Sequence, residues 1–156
     1  MNGDPEGIAG LRAEIDAVER RALRRVDPGA RAAVISGAIM VLLLAVTLPW
    51  VGEASGWVVL TGSANPADRV GLLPRMFGVL ALGLGVGLSA LALVTRRWGL
   101  VWASALGCAY CVLDGVWAIW SRQTGHGPGP GIGLVLAVLA MVVLAAQWVR
   151  LAVARR

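Results

Sequence analysis

Four long apolar runs separated by short polar stretches set the pattern of this 156-residue chain. They cover about 32–50, 71–94, 99–120 and 131–149. Each approaches the roughly 20 residues that a helix rising 1.5 Å per residue needs to cross a bilayer core. The first has Arg31 before it and ends on Leu48-Pro49-Trp50. The second carries Arg75 near its start, behind Pro74, where a long side chain snorkels toward headgroups. The third, GLVWASALGCAYCVLDGVWAIW, holds a carboxylate, Asp114, within its apolar length. The fourth closes on Arg150. This pattern predicts an all-α fold, an integral membrane four-helix bundle.

Ahead of the first run the period changes. Leu11, Ile15, Val18, Ala22 and Val26 recur at intervals of three and four, one stripe of an amphipathic helix. Asp16 and Arg20 form an acid-before-base pair at i,i+4, and Asp27-Pro28-Gly29 stops the helix. The expected division is a cytosolic leader and helix over 1–30, the bundle over 31–153 and a cytosolic tail over 154–156. Leu11, Ile15 and Val18 are the candidate partner-docking face. Of the connections, 51–70 is the longest, and its Trp57-Val58-Val59-Leu60 is apolar enough to cap the bundle or lie on the bilayer. Thr95-Arg96-Arg97-Trp98 is tight, and the Gly/Pro alternation after Ser121 predicts an irregular turn up to Pro130.

Composition strengthens the membrane reading. Hydrophobic residues make up 58% of the chain and charged residues 15%, against about 25% charged in ordinary soluble domains. The net charge of +5 is arginine alone on the cationic side. If the N-terminus is cytoplasmic, eleven of the 14 arginines lie inside and only Arg69, Arg75 and Arg122 outside, which sets both termini in the cytoplasm under the positive-inside rule. A multi-pass protein of the inner (plasma) membrane follows. Trp50, Trp117 and Trp120 are expected at the outer interface, and Trp98, Trp102 and Trp148 at the inner one. The arginine skew differs from small multidrug-type transporters, which insert both ways and carry an essential carboxylate in the first span. No basic patch interleaved with stacking aromatics points to nucleic acid. Residues 1–31 lack the apolar core of a cleavable signal peptide.

Few side chains suggest chemistry. Asp114 lies about 9 Å of helix below Trp120, and Arg75 about 6 Å into the second run. Each is costly alone in lipid, so the matching depths predict an intramembrane ion pair. Gly83 and Gly87 form a small-xxx-small pair, and Gly85 and Ser89 extend a second small row, both suited to helix packing. Cys108-Ala-Tyr-Cys111 puts two thiols on one helical face and resembles the redox pair of four-helix membrane thiol oxidases, which pass electrons to quinone. Those proteins use a second cysteine pair that this chain lacks, and small apolar packing is the better reading. His126 is the single histidine, too few for a haem or zinc site. No metal, cofactor or catalytic triad is expected.

The Leu48-Pro49-Trp50 span end and the Gly/Pro loop before the last run resemble uncharacterised small four-span membrane proteins of actinobacteria. The expected function is therefore a non-enzymatic accessory or assembly subunit of a larger membrane complex. Its partners would be the lipid bilayer and another membrane protein, with a homo-oligomer as an option and no nucleic acid. A small oligomeric transporter or channel using Asp114 is the alternative, and a quinone-linked thiol enzyme a third.

Overall fold

Helix α1 spans Ala30–Thr47 in the computed structural model, which describes residues 29–125 and 127–154. The stripe with Leu11, Ile15 and Val18, the loop residue His126 and the terminal Arg155-Arg156 lie outside the described residues. α1 buries Ile35, Ala38, Leu42, Ala45 and Val46, intervals of mostly three or four that leave one face inward. It ends before the predicted Trp50, because Leu48 is extended (φ −85°, ψ 161°). The following Pro49 disfavours helical backbone at the residue before it.

The chain then forms a small antiparallel hairpin, β1 over Pro49–Val51 and β2 over Ala54–Ser55. Gly52 makes the reversal at φ +57°, a left-handed conformation that glycine adopts without steric cost. Helix α2 (Gly56–Thr61) follows, capped by the Ser55 side chain and ended by Gly62 at φ +73°. A single 3-10 turn at Pro66–Asp68 leads into α3.

Helix α3 runs over Leu72–Thr95, but its middle, Ala81–Leu88, is π-helical. The sequence there is ALGLGVGL, where three glycines weaken α-helical preference. After Arg96 turns the chain at φ +51°, α4 covers Trp98–Thr124 and α5 covers Ile132–Val153. Both exceed their predicted ends because the buried stripe continues, through Arg122 in α4 and through Leu151 and Ala152 in α5. α5 packs along both α1 and α4, while α3 lies against α4 and its π segment also reaches α1 and α5. Val51 bridges to Pro130, and Gly131 N–H donates to the Trp50 carbonyl at 2.7 Å. The hairpin and the α4–α5 connection are thereby one layer over the end of the bundle where α1 and α4 finish.

Two tryptophans expected at membrane interfaces lie inside instead. Trp50 is fully buried, donates Nε1–H to the Ala45 carbonyl at 2.8 Å and packs on Phe77 with ring centroids 5.6 Å apart. Gly56, Gly78 and Gly133 surround its indole, each so close that a β-carbon would fall 2.5–3.1 Å from the ring. Trp148 is 1% exposed and donates to the Ser89 hydroxyl at 2.9 Å. An indole N–H that finds an acceptor no longer needs the polar interface. Trp57, Trp98, Trp102, Trp117 and Trp120 stay on the outside.

Candidate functional site

The polar side chains inside the bundle come mainly from one face of α4. Ser104, Cys108, Cys111 and Asp114 follow one another at intervals of four, three and three, all buried. Opposite them stands Ser89, the first residue after the π segment, whose hydroxyl donates to the Leu84 carbonyl five residues back at 3.3 Å and accepts from Trp148. Cys108 Sγ lies 4.0 Å from both the Ser89 hydroxyl and the Leu84 carbonyl. The widened π turn thus carries a Trp148–Ser89–Cys108 contact across three helices. Both thiols are free, without a disulfide. Ser104 Oγ and one carboxyl oxygen of Asp114, Oδ2, are buried with no hydrogen-bond partner among the described residues. No cluster of three metal-ligating side chains occurs among the described residues.

The predicted Asp114–Arg75 ion pair is not formed. Asp114 is 5% exposed, two-thirds of the way along α4, next to Gly115, which packs on Phe77 and Val138. Arg75 lies on the exposed side of α3, and its guanidinium sits over Gly62 at the end of α2. Pro74 and Phe77 take the inward face of that first turn, so Arg75 is turned away from α4.

The two small rows separate. Gly85 and Ser89 face inward, and a β-carbon at Gly85 would fall 2.6 Å from Met141 Sδ and 2.9 Å from Leu42. Gly83 and Gly87 are exposed, with nothing within 4 Å of a β-carbon at Gly83. Packing inside the chain therefore uses the row with Gly85, and the Gly83/Gly87 pair packs on nothing described.

Sequence reasoning placed Arg122 with the exposed flanking charges, whereas it is 7% exposed and binds three carbonyls. Its Nε and Nη2 donate to Pro128 O at 3.1 and 2.7 Å, Nη1 to Arg69 O at 2.9 Å and Nη2 to Asp68 O at 3.2 Å. One guanidinium joins the end of α4 to both loops over the bundle. Two signals were present: Arg122 continues the 111, 114/115, 118 stripe, and a Gly/Pro loop supplies carbonyls with few N–H groups of its own to pair them.

The fold defines the chain's class as a helical bundle whose four long helices are each long and apolar enough to cross a membrane, by length and composition. The MiaB C-terminal domain family matches residues 12–156, and the chain belongs to that family. The tRNA-2-methylthio-N(6)-dimethylallyladenosine synthase of Mycobacterium avium (strain 104) is 49% identical over 153 residues, 96% of this chain and 21% of the relative. The chain therefore spans about a fifth of that relative's length. No solved structure matches the chain.

These similarities correct several expectations. The family is that of the MiaB C-terminal domain rather than small actinobacterial four-span proteins. The relative's name is that of an enzyme, so a non-enzymatic identity does not stand. That name also overturns the accessory subunit of a membrane complex and the transporter or channel using Asp114. With them go the plasma-membrane assignment and the partner set of lipid, membrane protein and second copy without nucleic acid, since the relative's product is a modified tRNA base. Charge patterning missed this because the chain corresponds to only 21% of that relative, and its own residues carry no motif that points to the activity in the relative's name.

Proposed function

We propose that this chain keeps the integral-membrane type of four-helix fold read from its sequence, as one part of a tRNA-modifying enzyme of the kind its relative's name describes. The carrying observation is the bundle's exterior. Leu44, Val79, Val94, Leu106, Leu113 and Leu139 are between 56% and 82% exposed, on all four long helices. Apolar patches of that extent are unusual on a soluble monomer. At 1.5 Å per residue the helices measure roughly 27 to 40 Å, against a hydrocarbon core of about 30 Å. Inside, the buried residues are mostly small or aliphatic, as in bundles whose helices approach closely in lipid.

Charge placement supports the enzymatic part of this reading. Arg31, Arg96, Arg97 and Arg150 are exposed at one end, where α1 and α4 start and α3 and α5 finish. The described carboxylates Glu53 and Asp68 belong to the opposite end, and Asp114 is interior. A basic rim of this kind attracts phosphate-rich RNA without reading its sequence.

The test is fractionation of cells that make the protein, following this chain together with 2-methylthio-N(6)-dimethylallyladenosine formation on tRNA. The chain is expected in the membrane fraction, resistant to alkaline washing, and deleting it should lower the modification. Recovery of the chain in the soluble fraction without detergent rejects the bilayer reading. Unchanged tRNA modification after deletion rejects the enzymatic link.

A further inference from the structure

The loops over the bundle leave a cleft of about 430 Å³ between α2, the 3-10 turn and the start of α3. That volume lies within the range of about 300–1,000 Å³ usual for small-molecule sites. Its walls include Asn65, Arg69, Gly71 and Arg75 beside Val59, Gly62 and Leu72. Two cations thus border one concavity, and among the described residues neither side chain makes a hydrogen bond or ion pair.

The surroundings place the Arg75 head and the Arg69 backbone. The Arg75 guanidinium lies over Gly62, its nitrogens 3.2 Å from where a β-carbon would project. A glycine at φ +73° both ends α2 and leaves that space. Arg69 holds a left-handed backbone at φ +43°, uncommon for a residue with a β-carbon, and its carbonyl is tied down by the buried Arg122. Asn65 spends its side-chain oxygen on Ala67 N–H, which leaves its amide N–H groups as donors. Of the acids at this end, Asp68 turns a carboxyl oxygen toward Gly52 in the hairpin, and Glu53 is exposed beside it. Neither lines the cleft.

We propose that this cleft is a binding site for a phosphate group, held by the guanidinium groups of Arg69 and Arg75. Guanidinium forks match phosphate oxygens in geometry as well as charge. The phosphate comes from either of two sources, a phospholipid headgroup or free phosphate. The exposed Leu72 in the cleft wall suits an acyl chain in the first case. The site requires no bilayer, so its failure and the failure of the reading above are separable.

The full chain is purified in neutral detergent as wild type, Arg69→Gln/Arg75→Gln and, at the opposite end, Arg150→Gln. Phosphatidylglycerol retention is measured by native mass spectrometry, and inorganic phosphate binding by calorimetry. Retention of the lipid without measurable phosphate binding, weakened roughly tenfold or more in the double variant, supports the site with a headgroup as source. Phosphate binding weakened by the same factor supports it with free phosphate as source. Absence of both, equal binding by the double variant, or an equal loss in Arg150→Gln overturns it. Both altered arginines are exposed, and an unchanged far-UV spectrum verifies that the double variant folds.

Discussion

Replacing Arg122 tests how the loops are held to the bundle. Its guanidinium makes four hydrogen bonds to the carbonyls of Asp68, Arg69 and Pro128. In Arg122→Leu all four vanish while the stem volume is largely kept, so the loss reports on the polar head. Hydrogen bonds from a charged donor contribute about 1.5–3 kcal/mol each, and a stranded buried acceptor costs about 1–3 kcal/mol. Two of the bonds share the Pro128 oxygen, and the loops lie near solvent, so the low end applies. Three acceptors at about 1 kcal/mol give a loss of about 3 kcal/mol, or roughly a hundredfold in the folded-to-unfolded ratio. Arg122→Lys keeps the charge but not the planar fork and should lose about half as much. The assay is reversible unfolding in dodecylmaltoside micelles titrated with sodium dodecyl sulfate, followed by far-UV circular dichroism. Hydrogen exchange should rise at 65–70 and 127–131 before the helices are affected. If Arg122→Leu stays within about 0.5 kcal/mol of the parent, the range expected of an ordinary surface substitution, the arginine does not hold the loops.

Other substitutions separate the remaining contacts in the same assay. Gly83→Ala meets open space and should stabilise by up to about 1 kcal/mol through helix propensity, whereas Gly85→Val meets Met141 and Leu42 and should cost about 1–3 kcal/mol; equal effects would show that the two rows are not distinguished. Trp148→Phe keeps the ring but removes the donor to Ser89, for an expected loss of about 1 kcal/mol, and no loss would mean that this contact contributes nothing. A double-mutant cycle of Asp114→Asn with Arg75→Gln should give a coupling below about 0.5 kcal/mol, because Arg75 lies over Gly62; a larger coupling would restore the ion pair. Cys108 and Cys111, both 0% exposed, should resist a water-soluble maleimide until the protein is unfolded, and labelling of the folded chain would place them on an open path.

The long helices were legible in the sequence because length and apolar content act locally. A run of 18 or more such residues forms a helix whatever lies beside it, and the ends shifted by only a few residues where Pro49 or a continuing stripe intervened. The interior was harder to read because it depends on which face of each helix turns inward. Trp50 is the clearest case. Composition alone assigns a tryptophan at a span end to the interface, yet its burial depends on Gly56, Gly78 and Gly133 converging from three separate segments. Nothing at Trp50 itself announces this. Arg75 and Arg122 fail for the same reason in opposite directions. Both are arginines near helix ends that the sequence reading put on the same outer side, but Arg122 lies on the stripe that α4 buries, whereas in α3 that stripe falls on Pro74 and Phe77 and leaves Arg75 outside.

The buried face of α4 follows the same logic and separates a structural polar group from one without a partner. Ser89 spans two helices because the π turn places its hydroxyl between the Leu84 carbonyl and the Trp148 indole, where it both donates and accepts. Asp114 has no such counterpart among the described residues: its Oδ2 is buried without a hydrogen bond, and the adjoining Gly115 packs on the apolar Phe77 and Val138. A buried carboxyl oxygen left without a hydrogen bond costs free energy, so replacing that group is expected to be neutral or stabilising for the fold. If Asp114→Asn or Asp114→Leu leaves the fold intact or tightens it while lowering tRNA modification in cells, the carboxyl serves the enzyme rather than the bundle. If both variants unfold the chain, it holds a contact that the described residues do not contain.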